Sequence, residues 1–273
     1  DADGIVSSLL KRAGPASALL DNADKAVALK EKEPVIMVFA GKVTDDWTKA
    51  ADSMRDLVAW VHTSNKGVMS KLGVKDGVTV LKKFDEGSAV YSGSVGDADA
   101  LKKFVNLHRR QVAMPVKKGD QAALKIVFED EAVPNAFLFT ASGGSEIDTF
   151  REGVMAHRGE FVTAHFVQSD FSEAFSHFGM DKFANDKGLP KVLIEDRKEG
   201  LRYVMEGEVT KASVGKFLTS FKEGKLEPFL KSEEAPASND ELVKVIVGVT
   251  YQDEVNMSGK WTLLEAYAPW CGH

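Results

Sequence analysis

Pro34-Val35-Ile36-Met37-Val38-Phe39-Ala40 and, about 100 residues on, Pro134-Asn135-Ala136-Phe137-Leu138-Phe139-Thr140 decide the fold. Each is a proline followed by a nearly continuous apolar run of strand length, the pattern of a strand covered on both faces. The same blocks recur around each run. A helix follows, with Trp47, Ala51, Met54 and Val58 in one copy and Ile147, Phe150, Val154 and Met155 in the other. Next come the strands Ala59-Trp60-Val61-His62 and Ala164-His165-Phe166-Val167, then short helices ending in Leu72-Gly73-Val74 and Phe178-Gly179-Met180. The glycines are placed as left-handed C-caps. Val78–Leu81 and Pro190–Ile194 then lead through Asp85-Glu86-Gly87 and Arg197-Lys198-Glu199-Gly200 into returning strands, which read as hairpins. Gly93/Val95 and Gly207/Val209 precede closing helices N-capped by Asp97 and Thr210. Their apolar stripes are Leu101, Phe104, Val105, His108 and Val214, Phe217, Leu218, Phe221.

Each copy therefore reads as strand–helix–strand–helix–strand–strand–helix. The expected class is α/β: tandem units, each a central mixed sheet flanked by helices, with a truncated third copy. Lys231-Ser232-Glu233-Glu234-Ala235-Pro236-Ala237-Ser238-Asn239-Asp240 is a linker by composition. The third copy opens near Leu242, and Trp261–Tyr267 reads as its first buried strand.

Composition narrows the function. The 44% hydrophobic and 28% charged fractions are those of an ordinary globular chain. No apolar window is long enough for a membrane span, so no membrane insertion is expected. A net charge of −6 without a basic face argues against nucleic acid, and without a long Asp/Glu run it argues against an acidic calcium store. One cysteine allows neither an intrachain disulfide nor a thiolate zinc site, and the six histidines lack ligand spacing, so no metal is expected. Ser142-Gly143-Gly144-Ser145 is too short for a dinucleotide or phosphate loop. Lys102, Lys103, Arg109 and Arg110 read as a solvated helix face, and His165 as a satisfied core histidine.

The chemistry sits in Leu264-Glu265-Ala266-Tyr267-Ala268-Pro269-Trp270-Cys271-Gly272-His273. This segment resembles the redox motif of the protein disulfide isomerase family, in which a second cysteine follows Cys-Gly-His. Lys83-Phe84-Asp85-Glu86-Gly87 and Lys11-Arg12-Ala13-Gly14-Pro15-Ala16 resemble that family's first non-catalytic domain. The resemblance implies a piece of a longer protein. Residues 1–12 would be the terminal helix of a preceding catalytic domain and 13–112 the b domain. Residues 113–230 would be the b′ domain, 231–240 a linker, and 241–273 the start of a second catalytic domain.

By that resemblance Cys271 is the nucleophile. A free thiol is mostly protonated at neutral pH, but a cysteine opening a helix is favoured as thiolate, and a protonated His273 adds to this. Glu265 is expected to be a buried carboxylate that shuttles a proton, with Trp270 and Gly272 completing the motif. The family's b′ domain binds unfolded polypeptide, and Phe128, Phe139 and Phe150 match its cleft best. Pro190 stands where thioredoxin folds place a cis proline. The expected partners are unfolded or misfolded polypeptides, no cofactor is needed, and the compartment is the endoplasmic reticulum lumen, with a plastid as the lesser alternative. With one cysteine this stretch alone is expected to be inactive. The rival reading is a redox-inactive thioredoxin-fold chaperone.

Overall fold

The computed structural model describes residues 12–266 apart from 130, 132, 186–187, 231 and 257–258. The expected terminal helix of residues 1–12 lies almost wholly outside that set. Two five-stranded mixed sheets organise the described chain.

The first sheet has the order β1-β3-β2-β4-β5. It is built from β1 (Ala18–Leu19), β2 (Val35–Ala40), β3 (Ala59–Thr63), β4 (Gly77–Lys82) and β5 (Ser88–Val90). The β3 strand runs parallel to β1 and β2, whereas β4 is antiparallel to β2 and β5. All six residues of β2 are buried, so both faces must be covered. Helices α2 (Asp45–Met54) and α4 (Ala98–His108) cover one face; α1 (Ala23–Lys32) and α3 (Lys66–Leu72) cover the other. Trp47 of α2 packs edge-on against Trp60 of β3 at 4.6 Å between centroids and fills the first face. Thr44 caps α2, and Asp97 caps α4 through the Ala100 amide.

The second sheet repeats the plan in the order β10-β9-β7-β8-β6. Its strands are β6 (Met114–Pro115), β7 (Asn135–Thr140), β8 (Val162–Val167), β9 (Lys191–Asp196) and β10 (Leu201–Val204). Again the central strand, β7, is buried at every residue. Helices α6 (Ser145–Val154) and α9 (Lys211–Lys222) cover one face, while α5 (Gln121–Phe128), α7 (Ser172–Phe178) and α8 (Asp181–Asn185) accompany the other. Thr210 and Ser213 form a capping box at the start of α9. The Leu189–Pro190 peptide bond is cis.

The structure adds to the sequence reading a strand and a helix ahead of each copy, β1–α1 and β6–α5. Two-residue edge strands have too few side chains to show a period, which is why the alternation rule passed over them. The structure also departs from the expectation for the third copy. Residues 261–266 form no strand: Trp261 and Leu263 are fully exposed, and Leu264 is about half exposed (48%). An apolar run becomes a strand only where neighbours pair its backbone and cover its faces, and among the described residues none lies against this one. Arg109 and Arg110 depart too. Their side chains are only 11% and 17% exposed and both pair with Glu129, so they join the two domains instead of facing solvent.

Gly73 and Gly179 end α3 and α7 at φ +72° and +74°, a conformation that costs a residue with a Cβ roughly 1–2 kcal/mol. Gly179→Ala is expected to lower the stability of the second domain by about that amount, seen as a lower urea midpoint at unchanged slope.

Candidate functional site

Of the sequence-flagged redox residues, Trp270, Cys271, Gly272 and His273 lie outside the described residues. Glu265 is described, and it is exposed rather than buried. Burial was to come from the strand around it, and residues 261–266 form none.

The three phenylalanines flagged for peptide binding do not line one cleft. Phe139 and Phe150 are both fully buried, on opposite faces of the second sheet. Phe139 lies between Phe166, stacked at 5.1 Å, and Phe175, edge-on at 5.0 Å. Only Phe128 is half-buried, at the C-terminal end of α5, with the Arg197 guanidinium 5.4 Å over its ring. Alternation alone could not tell a core phenylalanine from a cleft phenylalanine, because every residue of β7 is buried.

The rim of that aromatic core is where apolar surface reaches solvent. Leu124, Phe128, Phe171, Phe183, Leu189 and Phe229 are all partly exposed and pack against it. Phe183 and Phe229 meet at 6.3 Å, with the Lys182 ammonium 5.0 Å and 4.6 Å over the two rings. Phe229 is held by its own backbone, whose N–H donates to the Arg202 carbonyl at 2.6 Å. Beside this rim the cis bond and the start of α6 bound a cavity of about 500 Å³, lined by Ser145, Thr149, Leu189, Pro190 and Val209 among others. Phe183 and Leu189 escaped sequence analysis; their one signal was proximity to Pro190.

A second concentration of chemistry lies where the two domains meet. The Lys82 ammonium has no exposed side-chain surface and sits 2.7 Å from Glu86 and 3.4 Å from His108 Nδ1. Asp85, at φ +51°, accepts the Val112 N–H through both oxygens, at 3.3 and 3.2 Å. Every guanidinium nitrogen of Arg158 donates to the first domain. Nε reaches the Leu107 carbonyl at 3.1 Å, Nη1 both Glu86 oxygens at 2.9 and 3.0 Å, and Nη2 Asp85 at 3.0 Å. Burial would raise the Glu86 carboxyl, but hydrogen bonds from Lys82, its own backbone and Arg158 bring it down to about 2. Burial, with Arg158 and Lys82 nearby, lowers His108 to about 4. His165, buried and bonded to the Ala113 carbonyl at 2.8 Å, is likewise lowered by burial.

These domains can be compared with known proteins. A thioredoxin-like domain family matches residues 39–220. Protein disulfide-isomerase of Medicago sativa is 31% identical over 290 residues, covering 100% of this chain and 54% of that protein. The Gallus gallus protein of the same name is 32% identical over 289 residues, with the same coverage. The chain belongs to the thioredoxin-like family, in its protein disulfide isomerase branch. It spans about half the length of these relatives. The crystal structure of the bb fragment of ERp72 superposes with a TM-score of 0.53 at 20% identity, covering 79% of this chain and all of that fragment, which shows the shared fold. Among the described residues no helix is long and apolar enough to cross a membrane.

Core and rim phenylalanines of this isomerase relative separate by stability. Phe139→Ala is expected to cost ~3–5 kcal/mol, as for a large side chain removed from a packed interior. Phe183→Ala, half-exposed, is expected to cost well under half of that in the same urea titration.

Proposed function

We propose that this chain is the spacer and polypeptide-binding part of a protein disulfide isomerase, together with the opening of a catalytic domain. Residues 13–112 and 113–230 serve as the b and b′ domains, 231–240 as the linker, and 241–273 as the start of the catalytic unit. The observation that carries the reading is Trp270-Cys271-Gly272-His273 standing downstream of two thioredoxin-like domains, in a chain that aligns with isomerases throughout.

The chemistry is thiol–disulfide exchange. The Cys271 thiolate attacks one sulfur of a client disulfide; a mixed disulfide forms and the client's other sulfur leaves as thiolate. Electrons stay among the sulfurs, so no cofactor is required. Release of the adduct needs a second thiol, and within these 273 residues Cys271 is the sole cysteine. On its own, then, the stretch binds and traps rather than turns over. Clients are unfolded or misfolded polypeptides, and the half-buried aromatic rim of the second domain supports this, since it offers apolar and cation-bearing surface to an extended chain. The oxidising lumen of the endoplasmic reticulum suits such exchange.

A second reading, a redox-inactive chaperone, draws on that rim alone. The two are separated by incubating the parent protein with a disulfide-bonded client, quenching in acid, and sequencing adducts by mass spectrometry. A client peptide disulfide-bonded to Cys271, lost in Cys271→Ser, is expected. Absence of any adduct overturns the exchange reading. Phe183→Ser in the 273-residue chain is expected to weaken binding of a fluorescent unfolded polypeptide several-fold without changing far-ultraviolet circular dichroism. Unchanged affinity overturns the rim as the binding surface.

A further inference from the structure

Arg158 is the most heavily committed side chain at the domain junction, and everything it binds belongs to the other domain. It leaves the short 3-10 turn Met155–His157 after α6 and crosses to Leu107 on α4 and to the Asp85-Glu86 turn between β4 and β5. Gly159 next to it is at φ +84°, and a Cβ there would stand 2.7 Å from Leu107 Cδ1. The corner is shaped for close approach, and the Arg158 guanidinium hydrogen bonds cross it. Behind the acidic turn stand Lys82 and His108. His108 is faced by Lys82 from β4, Glu86 from the turn and Arg158 from the second domain; Phe104 covers its ring at 4.6 Å.

We propose that the Asp85-Glu86 turn and the Arg158-Gly159 corner form an interdomain latch that acid releases through His108. The space is confined and its charge is balanced. With His108 neutral, the two cations Lys82 and Arg158 are matched by the two carboxylates Asp85 and Glu86. Protonated His108 adds a third cation that faces both others, and the matched set becomes net positive. The carboxylates are then shared three ways, and the contact that yields is the one that two domains can break by parting. Opening lets water reach Arg158 and His108 without unfolding either sheet. The device concerns how the two domains move and does not rest on disulfide exchange.

The sign follows from linkage. The closed latch holds His108 at about 4 against 6.5 for the free side chain, so the closed form binds fewer protons. Closure is favoured above pH ~6.5 and weakens as pH falls from there towards ~4. If opening restores His108 fully, the open-to-closed ratio rises by up to about eightfold between pH ~7 and ~5.5. Glu86, at about 2, keeps its charge throughout.

The test is a distance distribution between nitroxide labels on Lys71→Cys and Lys216→Cys, exposed helix positions of the two domains, in the 273-residue chain carrying Cys271→Ser. At pH ~7 a single narrow distance is expected, and at pH ~5.5 a second, broad population. His108→Gln, which cannot gain a proton, is expected to stay narrow at both pH values, and Arg158→Met to be broad at both. The proposal is overturned if the unsubstituted junction gives one distribution at both pH values, or if His108→Gln broadens with acid as the parent does. Should Arg158→Met not fold, Glu86→Gln is read in its place, and a narrow distribution at pH ~7 in the folded variant also overturns the latch.

Discussion

Each domain depends on one constraint: its central strand is buried at every position. Six consecutive residues of β2 and six of β7 have no solvent face. Such a strand must have a neighbour on each edge to satisfy its backbone and a helix layer on each side to cover its side chains. The parallel partner arrives by a crossover helix and the antiparallel partner leads into a hairpin, so one strand imposes the mixed sheet, the two helix layers and the order of elements.

The same constraint explains what was legible. Gly73 and Gly179, the caps Asp97 and Thr210, and both hairpins are local signals, written in residues that sit where they act. The edge strands β1 and β6 are held by parallel pairing to residues 43 and 50 positions away, and two residues carry no period. The peptide-binding surface failed for a related reason. Phe139 and Phe183 are the same residue type, and only the fold makes one a core packing element and the other a rim. Burial of Glu265 belonged to a strand whose partners are not among the described residues. The motif around Cys271 was read by resemblance, not from any property of the sheet architecture.

The two copies also cover their sheets differently. On the face beneath α1 and α3 the first copy packs aliphatic side chains such as Ile36, Val38, Val61 and Leu72; on the equivalent face the second uses a cluster of phenylalanines around Phe137 and Phe139. Phenylalanines from five elements interdigitate, and the outermost ones end half in water. A half-buried aromatic rim therefore follows from how the second core is built.

Equivalent turns of the two copies differ in what they bind. In the first copy the β4–β5 turn is acidic, and Asp85 and Glu86 reach forward to Arg158 of the second. In the second copy the matching β9–β10 turn begins with Arg197, whose guanidinium turns back to the Phe128 carbonyl and Glu131 of its own domain. The first turn sends its carboxylates across to the following domain, whereas in the second the exposed Glu199 lies beside Lys198 of the same turn. The stretch that follows, 231–240, has no regular secondary structure among its described residues.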